Sequence, residues 1–200
     1  MPHYWFVIHT DHKQQITFDN AIRERTSLDD VSVSQIRVAT PQDAEEIARI
    51  YEPYVRDSAV SFELEPPPAE VVAQRMEAAG NAYPWLVAAG ARGLFGYAYG
   101  APHRSRGAYR FAVEVSVYLD EAARGRGIGR RLMSALLEEL ESSGFTTALA
   151  GTTLPNPAST ALFTSLGFEQ VGVFRRVGFK FDDWHDVGWW QKGLNSEDET

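Results

Sequence analysis

The run Arg124-Gly125-Arg126-Gly127-Ile128-Gly129 stands between the end of a strand-like segment and the start of an amphipathic helix. Glycines let backbone N–H groups approach a ligand closely, and a helix N-terminus adds its positive dipole end, so the pattern makes a cradle for a pyrophosphate. The arginines suit the same anion. A P-loop requires Lys followed by Ser or Thr after its last glycine, where Arg130-Arg131 stand here, and the dinucleotide fingerprint has a glycine spacing that this run lacks. On this run alone, a plain Gly-rich turn before a helix is the alternative.

Glu114 is a lone carboxylate in a strand otherwise built from Val, Phe, Ser and Tyr. Such a group needs a partner or a purpose. In a cleft, where its pKa can be raised, it can act as a general base. On a solvated sheet face it would instead pair with Arg110. Arg104 and Arg106 lie a few residues earlier, and a guanidinium fork holds a carboxylate or phosphinate through two parallel hydrogen bonds. Loop arginines that merely sit in solvent are the alternative. Asn156, between two prolines, reads as a turn residue or a helix cap.

The elements that must position these residues follow from periodicity. Gln35 to Ala39 alternates as a strand, and Thr40-Pro41 with Asp43 marks a helix start. Ile47, Ile50, Tyr51 and Tyr54 continue that helix, which Pro53 is expected to kink or divide. Pro66-Pro67-Pro68 opens a second helix that stops at Gly80. Trp85–Ala89 and Leu94–Tyr99 form a hairpin across Gly90-Ala91-Arg92-Gly93. Phe111, Val113, Val115, Val117 and Leu119 share one face of the next strand, and Ala112, Glu114, Ser116 and Tyr118 share the other. Ile128, Leu132, Met133, Leu136, Leu137 and Leu140 make one helical stripe that ends before Gly144. A strand from Thr146 to Ala150, a short helix ending at Leu166, and strands at Gln170–Phe174 and Val187–Gln191 complete the series. Hairpins first and alternation later predict an α/β fold with a mixed, mostly antiparallel central sheet flanked by helices.

Two hundred residues with 44% hydrophobic content can bury one sizeable core. The expected organisation is an extension over residues 1–34, one domain over 35–194, and an acidic tail over 195–200. His3, His9 and His12 match no metal-ligand spacing, so no metal is expected. The chain has no cysteine, which removes disulfides, thiolate metal sites and a cysteine nucleophile but leaves the compartment open. A cytoplasmic setting is the default. No apolar run approaches the ~20 residues of a membrane span. A net charge of -8 argues against nucleic acid as a partner, because the basic charge is local. Local positive charge in an acidic protein fits small anionic ligands.

Arg-x-x-Gly-x-Gly after a strand resembles the acetyl-CoA motif of the GCN5-related N-acetyltransferases. The likeness extends through Tyr83-Pro84-Trp85-Leu86-Val87-Ala88, Ala108-Tyr109, Val113 to Tyr118, Leu154-Pro155-Asn156, and Gly178-Phe179-Lys180 through Trp184 to Gly188. In these segments the chain resembles the phosphinothricin and methionine sulfoximine acetyltransferases, over roughly residues 36–192. The resemblance implies the GNAT fold, acetyl-CoA as co-substrate, a small amino-acid-like amine as acceptor, and a homodimer. It implies that Glu114 is the general base. Acetyl-CoA contacts are implied at Val117, Tyr118 and Leu119, along Arg124, Gly125, Arg126, Gly127, Ile128, Gly129 and Arg130, and at Asn156 and Ser165. Acceptor contacts are implied at Arg104, Ser105, Arg106, Glu114, Val115, Ser116 and Asn156.

The expected chemistry is direct transfer, with backbone N–H groups near Val117 to Leu119 stabilising the oxyanion. One departure stands out: Phe163 occupies the helix position where the resembling proteins carry tyrosine or histidine, so the thiolate leaves unprotonated or another group such as Tyr118 protonates it. The alternatives are an acetyltransferase of the same fold for a polyamine or a protein N-terminus, for which arginines at 104 and 106 are the wrong charge, and a non-catalytic acetyl-CoA-binding module, against which the retained Glu114 stands.

Overall fold

The structure, a computed structural model, describes residues 33–194. The three N-terminal histidines, nearly all of the expected extension, and the acidic tail lie outside the described residues. Among the described residues seven strands form one sheet: β1 (Val33–Val38), β2 (Trp85–Gly90), β3 (Gly93–Pro102), β4 (Ala112–Leu119), β5 (Thr147–Leu154), β6 (Glu169–Lys180) and β7 (Asp183–Gly193). Their order is β1-β2-β3-β4-β5-β7-β6. All neighbours run antiparallel except β4 and β5, which are parallel. Four α-helices flank it: α1 (Ala44–Arg56), α2 (Ala69–Ala79), α3 (Ile128–Ser142) and α4 (Pro157–Ser165).

Strand alternation places two cores on the two faces of the sheet. On one face the α3 stripe of Leu132, Met133, Leu136 and Leu140 packs against Val113, Val115, Ala148 and Trp190. On the other, Ile47, Ile50 and Val55 of α1 and Val72 of α2 pack against Val87 and Tyr97. Glu114, Ser116 and Tyr118 belong to this second face, opposite Ala101, Tyr99 and Tyr97 of β3.

Several boundaries differ from expectation. Strand β1 begins at Val33, two residues early. Pro53 does not divide α1. It falls in the last turn, where the helix ends three residues later and little intrahelical bonding remains to lose. Strand β5 runs on to Leu154, because it pairs with β7 at eight positions from Thr147 to Leu154. The largest difference is the β6–β7 hairpin, far longer than Gln170–Phe174 and Val187–Gln191. Its tip turns through Phe181 and Asp182, both at positive φ, so residues without the usual Asn-Gly signature make the turn. A register shift between Phe174 and Gly178, with Arg176 at φ 49, interrupts β6. Asp186 pins that irregularity by accepting from the Arg176 N–H at 2.8 Å and from Arg175 at 3.0 Å.

Candidate active site

The sheet opens at one place. Strands β4 and β5 pair only over Ala112–Glu114 and Thr147–Leu149, after which β5 follows β7 and β4 continues alone to Leu119. Two cavities occupy the resulting gap. One, of about 420 Å³, is lined by Glu114, Val115 and Ser116 of β4, Thr152 and Thr153 of β5, and Arg104 from the loop after β3. Trp189 of β7 and Phe174 and Val177 of β6 close its far side, and Val60 and Phe62 from the α1–α2 connection cover it. The other, a groove of about 590 Å³, is lined by Val117 and Leu119, by Arg124, Gly125, Gly127, Gly129 and Arg130, and by Asn156, Leu162 and Ser165. Val60 lines both.

In the cavity, Glu114 Oε1 lies 2.7 Å from His103 Nδ1. The expected alternative partner, Arg110, instead stacks over Phe111. His103 was not anticipated from the sequence; its ring is held edge-on by Tyr109 at 5.5 Å and Trp189 at 6.2 Å. Its Pro102 neighbour ends β3, so the imidazole emerges beside the register partner of Val113 and returns to Glu114. Arg104 lines the cavity, whereas Ser105 and Arg106 are exposed on the loop beyond it. Gly151 lets the Trp189 indole lie against β5, since a Cβ there would meet the ring at 3.3 Å. Trp189 Nε1 is buried without a hydrogen-bond partner.

The groove is built from backbone. Gly125 and Gly127 both hold positive φ, 71° and 74°, with open space where a Cβ would stand, and Gly127 is the N-cap of α3. Free N–H groups at this helix start, flanked by Arg124 and Arg130, fit a pyrophosphate. Arg124 lies 5.0 Å over the Tyr54 ring. Ile128 is buried in the core below the groove, and Arg126 is exposed outside its lining. Asn156 is a helix cap: its Oδ1 accepts from Ser159 N at 3.0 Å and its Nδ2 donates to Thr152 Oγ1 at 3.1 Å. Ser165 Oγ donates to Leu162 O.

Two expectations about proton and oxyanion chemistry change. The Leu119 N–H is already taken by Tyr54 Oη at 3.1 Å, and that hydroxyl donates back to Leu119 O at 2.7 Å. Alternation along β4 then leaves Val117 as the residue whose N–H faces the gap beyond the last β4–β5 pair. Tyr118 lines neither cavity. It sits edge-on to Tyr51 and Tyr54 and stacked on Tyr97, and burial holds its phenol well above the ordinary range, which makes it a poor proton donor. Phe163 is buried against Phe168 and Trp190, so that position of α4 faces the core rather than the groove.

Among the described residues no cluster of three or more His, Asp or Glu is placed to hold a metal ion, and no helix is long and apolar enough to cross a membrane.

Comparison with known proteins agrees with this architecture. Residues 36–189 match the acetyltransferase (GNAT) domain family. A phosphinothricin N-acetyltransferase of Streptomyces viridochromogenes is 36% identical over 158 residues, covering 79% of this chain and 86% of that protein. An L-methionine sulfoximine/L-methionine sulfone acetyltransferase of Salmonella typhimurium is 38% identical over 113 residues, 56% of this chain and 66% of that protein. The crystal structure of a GNAT superfamily phosphinothricin acetyltransferase from Sinorhizobium meliloti in complex with AcCoA superposes with a TM-score of 0.79 at 37% identity, covering 84% of this chain and 92% of that one. The sheet that parts beside a glycine-built groove is therefore that of an acetyl-CoA-dependent acetyltransferase acting on a small amine, and the chain belongs to the GNAT family.

Proposed function

We propose that the chain acetylates the α-amino group of a small amino acid bearing an additional polar or anionic group, of the phosphinothricin or methionine sulfoximine type. The observation that carries this reading is the Glu114 cavity: one carboxylate, one guanidinium from Arg104 and two threonine hydroxyls in a small space bordered by aromatic rings. The groove supplies the site for acetyl-CoA, which brings the acetyl thioester. Glu114, steadied by His103, takes the ammonium proton, the neutral nitrogen attacks the thioester carbonyl, and the tetrahedral adduct collapses by breaking the C–S bond, CoA leaving as the thiolate that takes up the proton the nitrogen then sheds. Val117 N–H is the backbone donor placed for the oxyanion. Arg104 holds the acceptor's carboxylate or phosphinate.

The test is CoA release with phosphinothricin, methionine sulfoximine, methionine sulfone, ordinary amino acids, their decarboxylated analogues and polyamines. Removing the carboxylate is expected to raise KM about tenfold to a hundredfold, and R104A is expected to narrow that difference. Polyamines or decarboxylated amines that serve equally well would overturn the amino-acid assignment and leave the acetyltransferase intact. A homodimer belongs to the same reading. Edge strand β6 exposes Val171, Phe174, Val177 and Phe179, an apolar surface that a second copy would cover. A monomeric mass by light scattering at assay concentration would exclude it.

A further inference from the structure

The roof shared by the two cavities is not part of the sheet or of any helix. Val60 and Phe62 sit in the connection between α1 and α2, residues 57–68, which has no regular secondary structure. Such a segment takes its position from whatever fastens it. Tyr51 Oη and Ser61 Oγ are 2.6 Å apart, and Glu63 accepts from both terminal guanidinium nitrogens of Arg75, which tie the segment to the two helices. The third fastening reaches across more than a hundred residues. Lys180, at the tip of β6 and only 4% exposed, donates from one ammonium to the carbonyl oxygens of Val55, Ser58 at 3.0 Å and Ser61 at 2.8 Å. Val55 ends the last buried turn of α1, so the cation also meets the negative end of that helix.

The same strand carries the matching notch. A Cβ on Gly178 would run into the Phe62 ring, so glycine is what lets the ring settle on β6. On the hairpin side, His185 Nε2 donates to the Lys180 carbonyl at 3.0 Å, and its ring lies 6.1 Å from Phe62. Gly178, Lys180 and His185 thus converge on one short strap, and that strap is the roof of the Glu114 cavity.

We propose that Lys180 is a positioning residue for acetyl transfer: its ammonium clamps the α1–α2 strap onto the β6–β7 hairpin and thereby sets Phe62 over the acceptor and Val60 at the junction of the two cavities. Three converging carbonyls need three donors on one atom, which an ammonium provides and a planar guanidinium does not. Without the cation, buried carbonyls lose their partners and the strap lifts toward water. The acceptor then faces a looser roof, and misplacement of about an ångström is enough to slow a transfer severely. This inference rests on the Glu114 cavity being the acceptor site.

The experiment measures acceptor KM, kcat and acetyl-CoA Kd for the full chain and for K180M, K180R, F62A, the double variant K180M/F62A, and E114Q, with thermal melts of each. K180M is expected to raise acceptor KM about tenfold or more while acetyl-CoA Kd moves about twofold at most. K180R should recover part of that loss. The K180M/F62A variant should be little worse than F62A, because the clamp acts through the ring. Acceptor KM within twofold of wild type in folded K180M, or fully additive losses in the double variant, would overturn the proposal. If K180M does not fold, G178A replaces it, since a methyl there displaces Phe62 without touching the carbonyl cage; an unchanged acceptor KM in G178A overturns the proposal equally. Wild-type turnover in E114Q would sink the acceptor-site reading underneath, whereas an inactive E114Q beside an unaffected K180M sinks the clamp alone.

Discussion

The groove and the Glu114 cavity open off the same parting of β4 from β5, yet they are assembled by opposite means. The groove rests on two stretches of chain, Val117 to Arg130 and Asn156 to Ser165, with Tyr54 and Val60 at its edge, and its phosphate-facing groups are backbone N–H at a helix terminus. The cavity draws its walls from five separate places: the strap, the β3–β4 loop, β4, β5 and the β6–β7 hairpin. A surface of backbone donors recognises a constant group and tolerates side-chain change except where a glycine conformation is needed. A surface of side chains from distant segments changes its ligand with one or two substitutions. The division fits an enzyme whose donor is fixed and whose acceptor varies among relatives.

The sharpest way to break this comparison is to remove the carboxylate proposed to take the proton from the acceptor nitrogen. E114Q keeps shape and removes basicity, and kcat is expected to fall on the order of 10²-fold or more with acetyl-CoA Kd unchanged by calorimetry. Equal losses in both would mean that the two sites are not separable. The mirror experiment is G127D. Gly127 holds φ 74 with nothing near its missing Cβ, so the variant should fold, while the strained backbone and added carboxylate should weaken acetyl-CoA about tenfold or more. Acceptor KM at saturating acetyl-CoA should stay put. Unchanged acetyl-CoA binding would move the phosphate cradle elsewhere.

The two sites were unequally legible for the same physical reason. Arg124 to Gly129 could be read directly, because a glycine-rich turn before an amphipathic stripe is a local pattern. Glu114 could be read as odd in its strand, but its partner His103 could not, since the contact depends on the β3–β4 register. The α3 stripe and the β2–β3 hairpin followed from spacing. The long β6–β7 hairpin did not, because Phe181-Asp182 hides its turn and the bulge at Arg175–Val177 breaks the alternation. Nothing local in the sequence marks Lys180 as buried; only a fold that brings Val55 and Ser61 beneath it does so. From the sequence Phe163 reads as a missing proton donor, whereas the packing of α4 turns that position into the core.

A smaller effect sharpens the assignment inside the cavity. H103F keeps an aromatic ring between Tyr109 and Trp189 and removes the nitrogen 2.7 Å from Glu114, so kcat is expected to fall about tenfold with acceptor KM nearly unchanged. H103N offers an amide donor near the Nδ1 position and should restore much of the rate. If asparagine is no better than phenylalanine, the hydrogen bond is not what matters and the aromatic packing is.

The last prediction concerns a residue that should touch neither site. Asp43, at the start of α1, accepts from both terminal guanidinium nitrogens of Arg37 at 2.7 Å, from the Thr40 N–H at 2.7 Å and from the Thr40 hydroxyl at 3.0 Å. The Arg37 hydrogen bonds, which outweigh the opposing effect of burial, hold its carboxyl down at about 2. A depressed acid stabilises the fold above the pKa it has in the unfolded chain, near 4, and that contribution is lost as pH falls through about 2. The shift corresponds to roughly 2 kcal/mol. D43N should therefore be less stable than wild type by about that amount in urea melts at neutral pH, and the gap between the two proteins should close as pH is lowered from about 4 to about 2. Since Asp43 packs α1 against β1 at the far edge of the sheet, kcat, acceptor KM and acetyl-CoA Kd at moderate temperature should all match wild type. A D43N variant that is stable but alters acceptor KM would show that the position of α1 reaches the cavity through the strap, and the contrast between scaffold and site would have to be redrawn at that helix.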